Sequence, residues 1–178
     1  RCDHGTHVAS IAVGNDGVNF GVARAAKLVP IDVFSRVTDP EVCSPDPAPC
    51  ELTDSQAVLS ALNYVNENAT LLNIAAVNIS VGGSNRDGFC DDDPRKTVID
   101  MLRQKGIAVV ISAGNSGATG QISAPACISS ALAVGASNDG TTVASFSNFA
   151  TMLDFMAPGV SVRGASSSGS GFGFRSGT

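Results

Sequence analysis

The sequence predicts an α/β fold, a parallel β-sheet flanked by helices on both faces. Two observations carry that prediction. Stretches with apolar residues at i, i+3, i+4 and i+7 alternate with short runs of branched residues. Those runs are unbroken rather than alternating, the pattern of strands buried on both faces. Such an alternation joins parallel strands through crossover helices. The 178 residues are one domain's worth, enough to bury a real core.

In chain order, His4-Gly5-Thr6-His7-Val8-Ala9-Ser10 leads small residues into Ile11, Ala12 and Val13. It predicts a helix opened by Gly5, with His4 at or just before the first turn and His7 on the turn above. Asn15-Asp16-Gly17 begins a turn-rich loop that runs to Ala23. Leu28 to Phe34 is branched and aromatic and predicts a strand. It should start near Pro30, because proline cannot donate to the ladder. Thr53-Asp54-Ser55-Gln56 reads as a capping box with Thr53 as N-cap. Val58, Ala61, Leu62 and Val65 then mark one helical face.

Ile74 to Val81 predicts a strand ended by Gly82-Gly83. Asp93 and Pro94 supply N-cap and N1 signals for a second helix. Val98, Met101, Leu102 and Lys105 share its face, and Gly106 stops it at C′. Ile107 to Ile111, Ala131 to Val134 and Met152 to Met156 complete the strands. Ser166 to Gly171 is of low complexity and reads as a flexible loop.

Composition excludes several function classes. The formal charge is -5, and the 11 Lys and Arg form no cluster, so nucleic acid is not an expected partner. A mean hydropathy of +0.18 fits a globular protein rather than a disordered one. No apolar run approaches the roughly 20 residues of a membrane span. The five cysteines, Cys2, Cys43, Cys50, Cys90 and Cys127, contain no C-x-x-C pair, which argues against a zinc knuckle or a thioredoxin-type site. Cys43 and Cys50 bracket a proline-rich loop. A disulfide there would place the protein in an oxidising compartment, whereas reduced core cysteines are the competing reading. Cys90 with Cys127 is the second expected pair, and Cys2 the orphan.

Ligands of parallel sheets sit beyond the carboxyl ends of the strands. Both Gly-rich stretches, Ile79 to Gly83 and Ser112 to Gly117, fall there. A phosphate cradle does not fit, because Gly114 to Gly120 is neither G-x-G-x-x-G nor a P-loop and lacks the phosphate lysine. The histidine pair is one residue narrower than H-E-x-x-H and has no Glu between, so no metal site is expected from it. From the residues alone, His4 could be a packed or solvated histidine, and Asn115 a turn asparagine before Ser-Gly.

Four stretches taken together resemble the subtilase family, the subtilisin-like and proteinase K-like serine proteases. They are His4 to Ala9, Asn78 to Gly83, Ala113 to Gly117, and Phe146-Ser147-Asn148 with Leu153 to Gly159. The resemblance covers nearly the whole chain in family order. It implies a serine-type endopeptidase working through an acyl-enzyme on polypeptide substrates, with no cofactor in the chemistry. His4 would be the general base and acid, and Asn115 an oxyanion donor. Ser80, Val81 and Gly82, with Ala113 and Gly114, would hold the substrate, and Leu52 and Thr53 would form the opposite rim.

The resemblance also allows structural calcium without assigning a ligand set: Asn15 and Asp154 match positions that some members use. Departures from the pattern are Ser10 in place of the usual Gly, Cys90, Cys127, Ala124-Pro125-Ala126, and Ser129 where proline is common. In the family order Asp, His, Ser, the aspartate should precede His4, and Asp3 does not stand in its motif. Ser176-Gly177-Thr178 resembles the lead-in to the nucleophile, which would be the next residue. The expectation is therefore a partial catalytic domain over residues 1–178, truncated at both ends and inactive as it stands. Its parent would be secreted. The alternative from another class is a non-catalytic pseudoprotease or protein-binding module with the same fold. The resemblance implies no oligomeric state.

Overall fold

In the computed structural model, which describes residues 2–167 and 171–178, the chain opens with helix α1 (Cys2–Val13). Strand β1 (Ser35–Val37), the short helix α2 (Pro40–Cys43) and β2 (Cys50–Leu52) follow. Helix α3 (Ser55–Asn68) leads to β3 (Ala76–Ile79) and β4 (Asn85–Arg86). Helix α4 (Lys96–Gln104) precedes β5 (Ala108–Ser112), β6 (Ile122–Ser123), β7 (Leu132–Asn138) and β8 (Thr142–Val143). The last elements are β9 (Phe155–Pro158), β10 (Val162–Ala165) and β11 (Phe172–Arg175).

The central sheet runs β3-β5-β7-β8, with β9 also paired to β7. Strands β3, β5, β7 and β9 are parallel, while β8 turns back antiparallel on β7. Ile79 lies opposite Ile111, and Ser112 opposite Val134, so β3 and β5 end at the same level. The Gly-rich stretches leave the sheet there. Val109 and Ile111 bury into the core, whereas Ala108, Val110 and Ser112 on the other face are only half-buried, so β5 closes off one face where the branched run predicts both. Helix α3 contributes Val58, Leu62 and Val65, and α4 contributes Val98, Ile99 and Leu102. Each Leu or Ile fully buried here contributes roughly 1.5–3 kcal/mol relative to exposure.

Local chemistry sets the helix ends, with shifts from the sequence expectation. Asp54, not Thr53, caps α3: its Oδ1 accepts from Ala57 N at 2.7 Å. A carboxylate makes the stronger, charge-assisted cap, and it also favours the helix N-terminus electrostatically. Asp93 does accept from Arg95 N at 2.9 Å, but Lys96 N bonds back to Asp93 O at 3.0 Å. That three-residue turn delays α4 to Lys96. Gly106 adopts φ +77° at the far end. Gly106 N donates to Arg103 O at 2.9 Å and Ile107 N to Leu102 O at 3.0 Å, closing the helix with orphan carbonyls satisfied. Helix α1 already runs from Cys2, so Gly5 lies inside it rather than opening it.

Leu28 to Phe34 forms no strand, and β1 begins only at Ser35. Pro30 removes one ladder donor, and Phe34 N is taken by Asp32 Oδ1 at 3.0 Å. The strand expected over Met152 to Met156 starts at Phe155, because Leu153 N turns back on Ala150 O at 3.2 Å and holds the preceding residues in a turn. The β10–β11 hairpin was outside the expectation: Gly164 and Gly173 face each other across it and interrupt any apolar alternation.

Both expected disulfides are present. Cys43–Cys50, with Cα atoms 5.7 Å apart, ties α2 to β2, and Cys90–Cys127 spans 5.3 Å beneath the loop entering α4. In the chain-entropy picture, closing the longer Cys90–Cys127 loop contributes about 3–4 kcal/mol, a model-dependent value. The side chain of Cys2, the expected orphan, lies outside the described residues, as do Ser168 to Ser170 of the expected flexible loop. No helix among the described residues is long and apolar enough to cross a membrane.

Candidate active site

His4 sits on the first turn of α1 with its side chain exposed, and His7 lies one turn on, only 4% exposed. The helix is held by the β10–β11 hairpin. Ser10 Oγ donates to His7 O and accepts from Ala165 N, both at 2.7 Å. A glycine at this position could not make that bridge. Asp3 accepts from Ser167 N at 2.7 Å and from Ser166 Oγ at 3.1 Å, and it is ion-paired with Arg175 on β11. The Asp3 carboxylate is thus committed to the hairpin and not to the ring beside it.

The buried His7 ring packs against Gly164 of β10, and neither ring nitrogen has a hydrogen-bond partner among the described residues. A Cβ at Gly164 would stand 2.6 Å from His7 Nδ1 and 2.7 Å from its Cε1. Gly164→Ala must therefore displace either the ring or the strand. We expect a loss of about 1–3 kcal/mol, the usual cost of overpacking, read as a lower urea midpoint. An unchanged midpoint would show that the hairpin does not clamp α1 at this point.

The second half of the site is the loop that leaves β5. Gly114 is buried, with φ +104°. Asn115, next in line, is exposed. Its Oδ1 accepts from Thr178 N at 2.9 Å. A backbone N–H can only donate, so the amide atom facing it must be oxygen, and the Nδ2 donor points elsewhere. Gly114 N in turn reaches Thr178 Oγ1 at 3.2 Å, and Gly177 N reaches Gly159 O at 2.9 Å. Gly177 runs alongside the amide, where a Cβ would lie 3.6 Å from Asn115 Nδ2, an ordinary contact distance. The segment after β11 thus joins the hairpin that clamps α1 to the loop carrying Asn115. Ser176 faces another way, its Oγ accepting from Ser161 N at 3.0 Å.

Thr53, Val81 and Gly82 come together in a cleft of about 270 Å³ between the start of α3 and the chain after β3. Leu52 is exposed on β2 beside it but does not line it. Ser80 accepts from Asn78 Nδ2 at 2.9 Å. Ala113 is fully buried, and its carbonyl already accepts from Ser123 N at 2.8 Å, so it supports the loop rather than facing outward. One wall of the cleft carries a charged pair absent from the sequence reading. Arg95, nearly buried, donates to Asp93 through Nε at 2.8 Å and Nη2 at 2.6 Å. Those hydrogen bonds hold the Asp93 carboxyl below its ordinary range, against the opposing effect of burial.

Each of the residues considered for calcium has one oxygen engaged by a backbone N–H. Asn15 Oδ1 accepts from Gly17 N at 3.2 Å, and Asp154 Oδ2 accepts from Ala133 N at 2.8 Å. In the same loop, bonds from Asn19 and Val18 push the Asp16 carboxyl down to about 2. Among the described residues no three His, Cys, Asp or Glu side chains group into a metal cage.

A family model described as the subtilase family matches residues 1–178. A cuticle-degrading serine protease of Arthrobotrys oligospora is 33% identical over 159 residues, 89% of this chain and 33% of that protein. Subtilisin NAT of Bacillus subtilis subsp. natto is 33% identical over 165 residues, 90% of this chain and 38% of its own length. Among solved structures, a cold adapted subtilisin-like serine proteinase superposes with a TM-score of 0.72 at 28% identity, over 98% of this chain and 55% of that one. The chain thus spans about a third of the curated relatives it matches.

Proposed function

Because the chain belongs to the subtilase family, we propose that the protein carrying it is a serine-type endopeptidase that cleaves polypeptides through an acyl-enzyme. His4 is the general base that takes the proton of a serine hydroxyl and returns it to the leaving amine. Asn115 donates Nδ2 to the oxygen that becomes negative in the tetrahedral intermediate. That bond strengthens as charge develops, so it lowers the barrier more than it tightens substrate binding.

Ser80, Val81 and Gly82 offer backbone to an extended substrate, and the cleft lined by Thr53 and Val81 receives one of its side chains. The single observation that carries the reading is the Thr178 N–H on Asn115 Oδ1. It fixes the amide so that its donor side is available, next to the segment resembling the lead-in to the nucleophile. The two disulfides support an extracellular setting, since thiols stay reduced in the cytosol.

Pre-steady-state hydrolysis of a chromogenic peptide ester by the full-length protein tests this reading. A burst of leaving group equal to the enzyme concentration is expected, the signature of an accumulating acyl-enzyme. A folded protein that binds peptides but gives neither burst nor turnover would favour the non-catalytic alternative instead.

A further inference from the structure

The motif Phe146-Ser147-Asn148 takes no part in the chemistry above, yet its asparagine is 0% exposed at the centre of a polar network. Its Oδ1 accepts from Ser116 Oγ at 2.8 Å, Ala118 N at 3.0 Å and Ser116 N at 3.1 Å. Its Nδ2 donates to Ala113 O and Asn85 Oδ1, each at 3.0 Å, and reaches Ser123 Oγ at 3.3 Å. Its backbone N–H donates to Gly114 O at 2.9 Å. Asn148 therefore grips residues 113, 114, 116 and 118, on both sides of Asn115, without touching Asn115 itself.

We infer that Asn148 is a positioning residue for catalysis, acting through Asn115. The inference rests on the role proposed for Asn115. Thr178 N holds the Asn115 amide from outside, but the backbone that carries it, built on a glycine at φ +104°, must also be held on both flanks. The buried amide of Asn148 provides that hold by satisfying donors and acceptors on both flanks at once. Only an amide can do so: three donors converge on one end of the side chain and three acceptors on the other. Asn85 and Ser123 extend the network by their own bond of 2.9 Å, and Asn85 Nδ2 closes it on Ser116 Oγ at 2.9 Å.

The isosteric change Asn148→Asp keeps the shape and turns the donor end into an acceptor facing Ala113 O. The carbonyl must retreat, carrying Gly114 and Asn115 with it. A misplacement of this kind costs about 10–100-fold in rate while leaving the substrate's other contacts in place.

The test is a double-mutant cycle in the full-length protein, with active sites titrated so that only folded enzyme is counted. Asn148→Asp should lower kcat about 10–100-fold with KM little changed, and the same change made in an Asn115→Ala background should lower it by less than about 2-fold. Ser116→Ala, an exposed position whose loss does not threaten the core, should repeat the pattern at smaller size; it stands in should Asn148→Asp not fold. Equal losses in both backgrounds would mean that the network only stabilises the fold, and would overturn the inference while leaving Asn115's role intact. An unchanged kcat for Asn148→Asp or Ser116→Ala beside a costly Asn115→Ala would do the same. If Asn115→Ala itself costs nothing, the proposed role of Asn115 fails first and this inference falls with it.

Discussion

In the full-length protein, His4→Ala should lower kcat by about 10⁶-fold while the protein stays folded and still binds peptide. The size is that found for loss of the histidine or serine in subtilisin, a member of this family, and is carried over rather than obtained from this geometry. The reason for so large an effect is chemical. A serine hydroxyl is a poor nucleophile until a base removes its proton, and the leaving amine departs only when an acid protonates it. In the proposed mechanism one imidazole, that of His4, performs both transfers. Folding should survive, because the His4 side chain is exposed, whereas His7 and Ser10 of the same helix hold it to the β10–β11 hairpin. Kinetics and a thermal melt on the same sample check both halves. A loss below about 10-fold would remove His4 from the mechanism.

Asn115→Leu comes next in size. It keeps the volume and removes the donor, so kcat should fall about 10²–10³-fold with little change in KM, again the subtilisin value for one oxyanion donor. The split between the two constants matters more than the total. In the proposed mechanism substrate binding uses the backbone of Ser80 to Gly82, which the substitution does not touch. A rise in KM at constant kcat would instead assign Asn115 to ordinary substrate binding. The change costs little stability, since the side chain is exposed and its one described bond accepts from Thr178 N.

The parts of this structure that were legible in the sequence are those decided locally. The unbroken branched run from Ile107 to Ile111 marks an inner strand, which β5 is, with β3 and β7 on either side, and Gly106 supplies the positive φ that ends the preceding helix. Pairing is not local, and that is where the reading failed. Leu28 to Phe34 has strand composition but gains no partner among the described residues, whereas Ser35 to Val37 pairs with Cys50 to Leu52. The β10–β11 hairpin escaped because Gly164 must be bare to admit His7, a demand set by a residue more than 150 positions away.

The candidate site divides in the same way. His4, Asn115 and the stretch from Ser80 to Gly82 lie in short motifs that are ambiguous singly and point to a site only when read together as a family resemblance. Asn148 was visible only as part of a motif, because its partners at 85, 113, 116, 118 and 123 meet only in the folded chain. The Arg95–Asp93 pair in the cleft wall carried no signal beyond two charges near a proline.

The most direct test of the central claim is where a serine-directed phosphonate attaches to the full-length protein. Mass mapping should find one label per molecule, on a serine adjoining Thr178, and none in His4→Ala. A label on Ser176, or labelling undiminished in His4→Ala, would contradict the account, because Ser176 Oγ is turned toward Ser161 N and no serine can be activated without the base proposed for it.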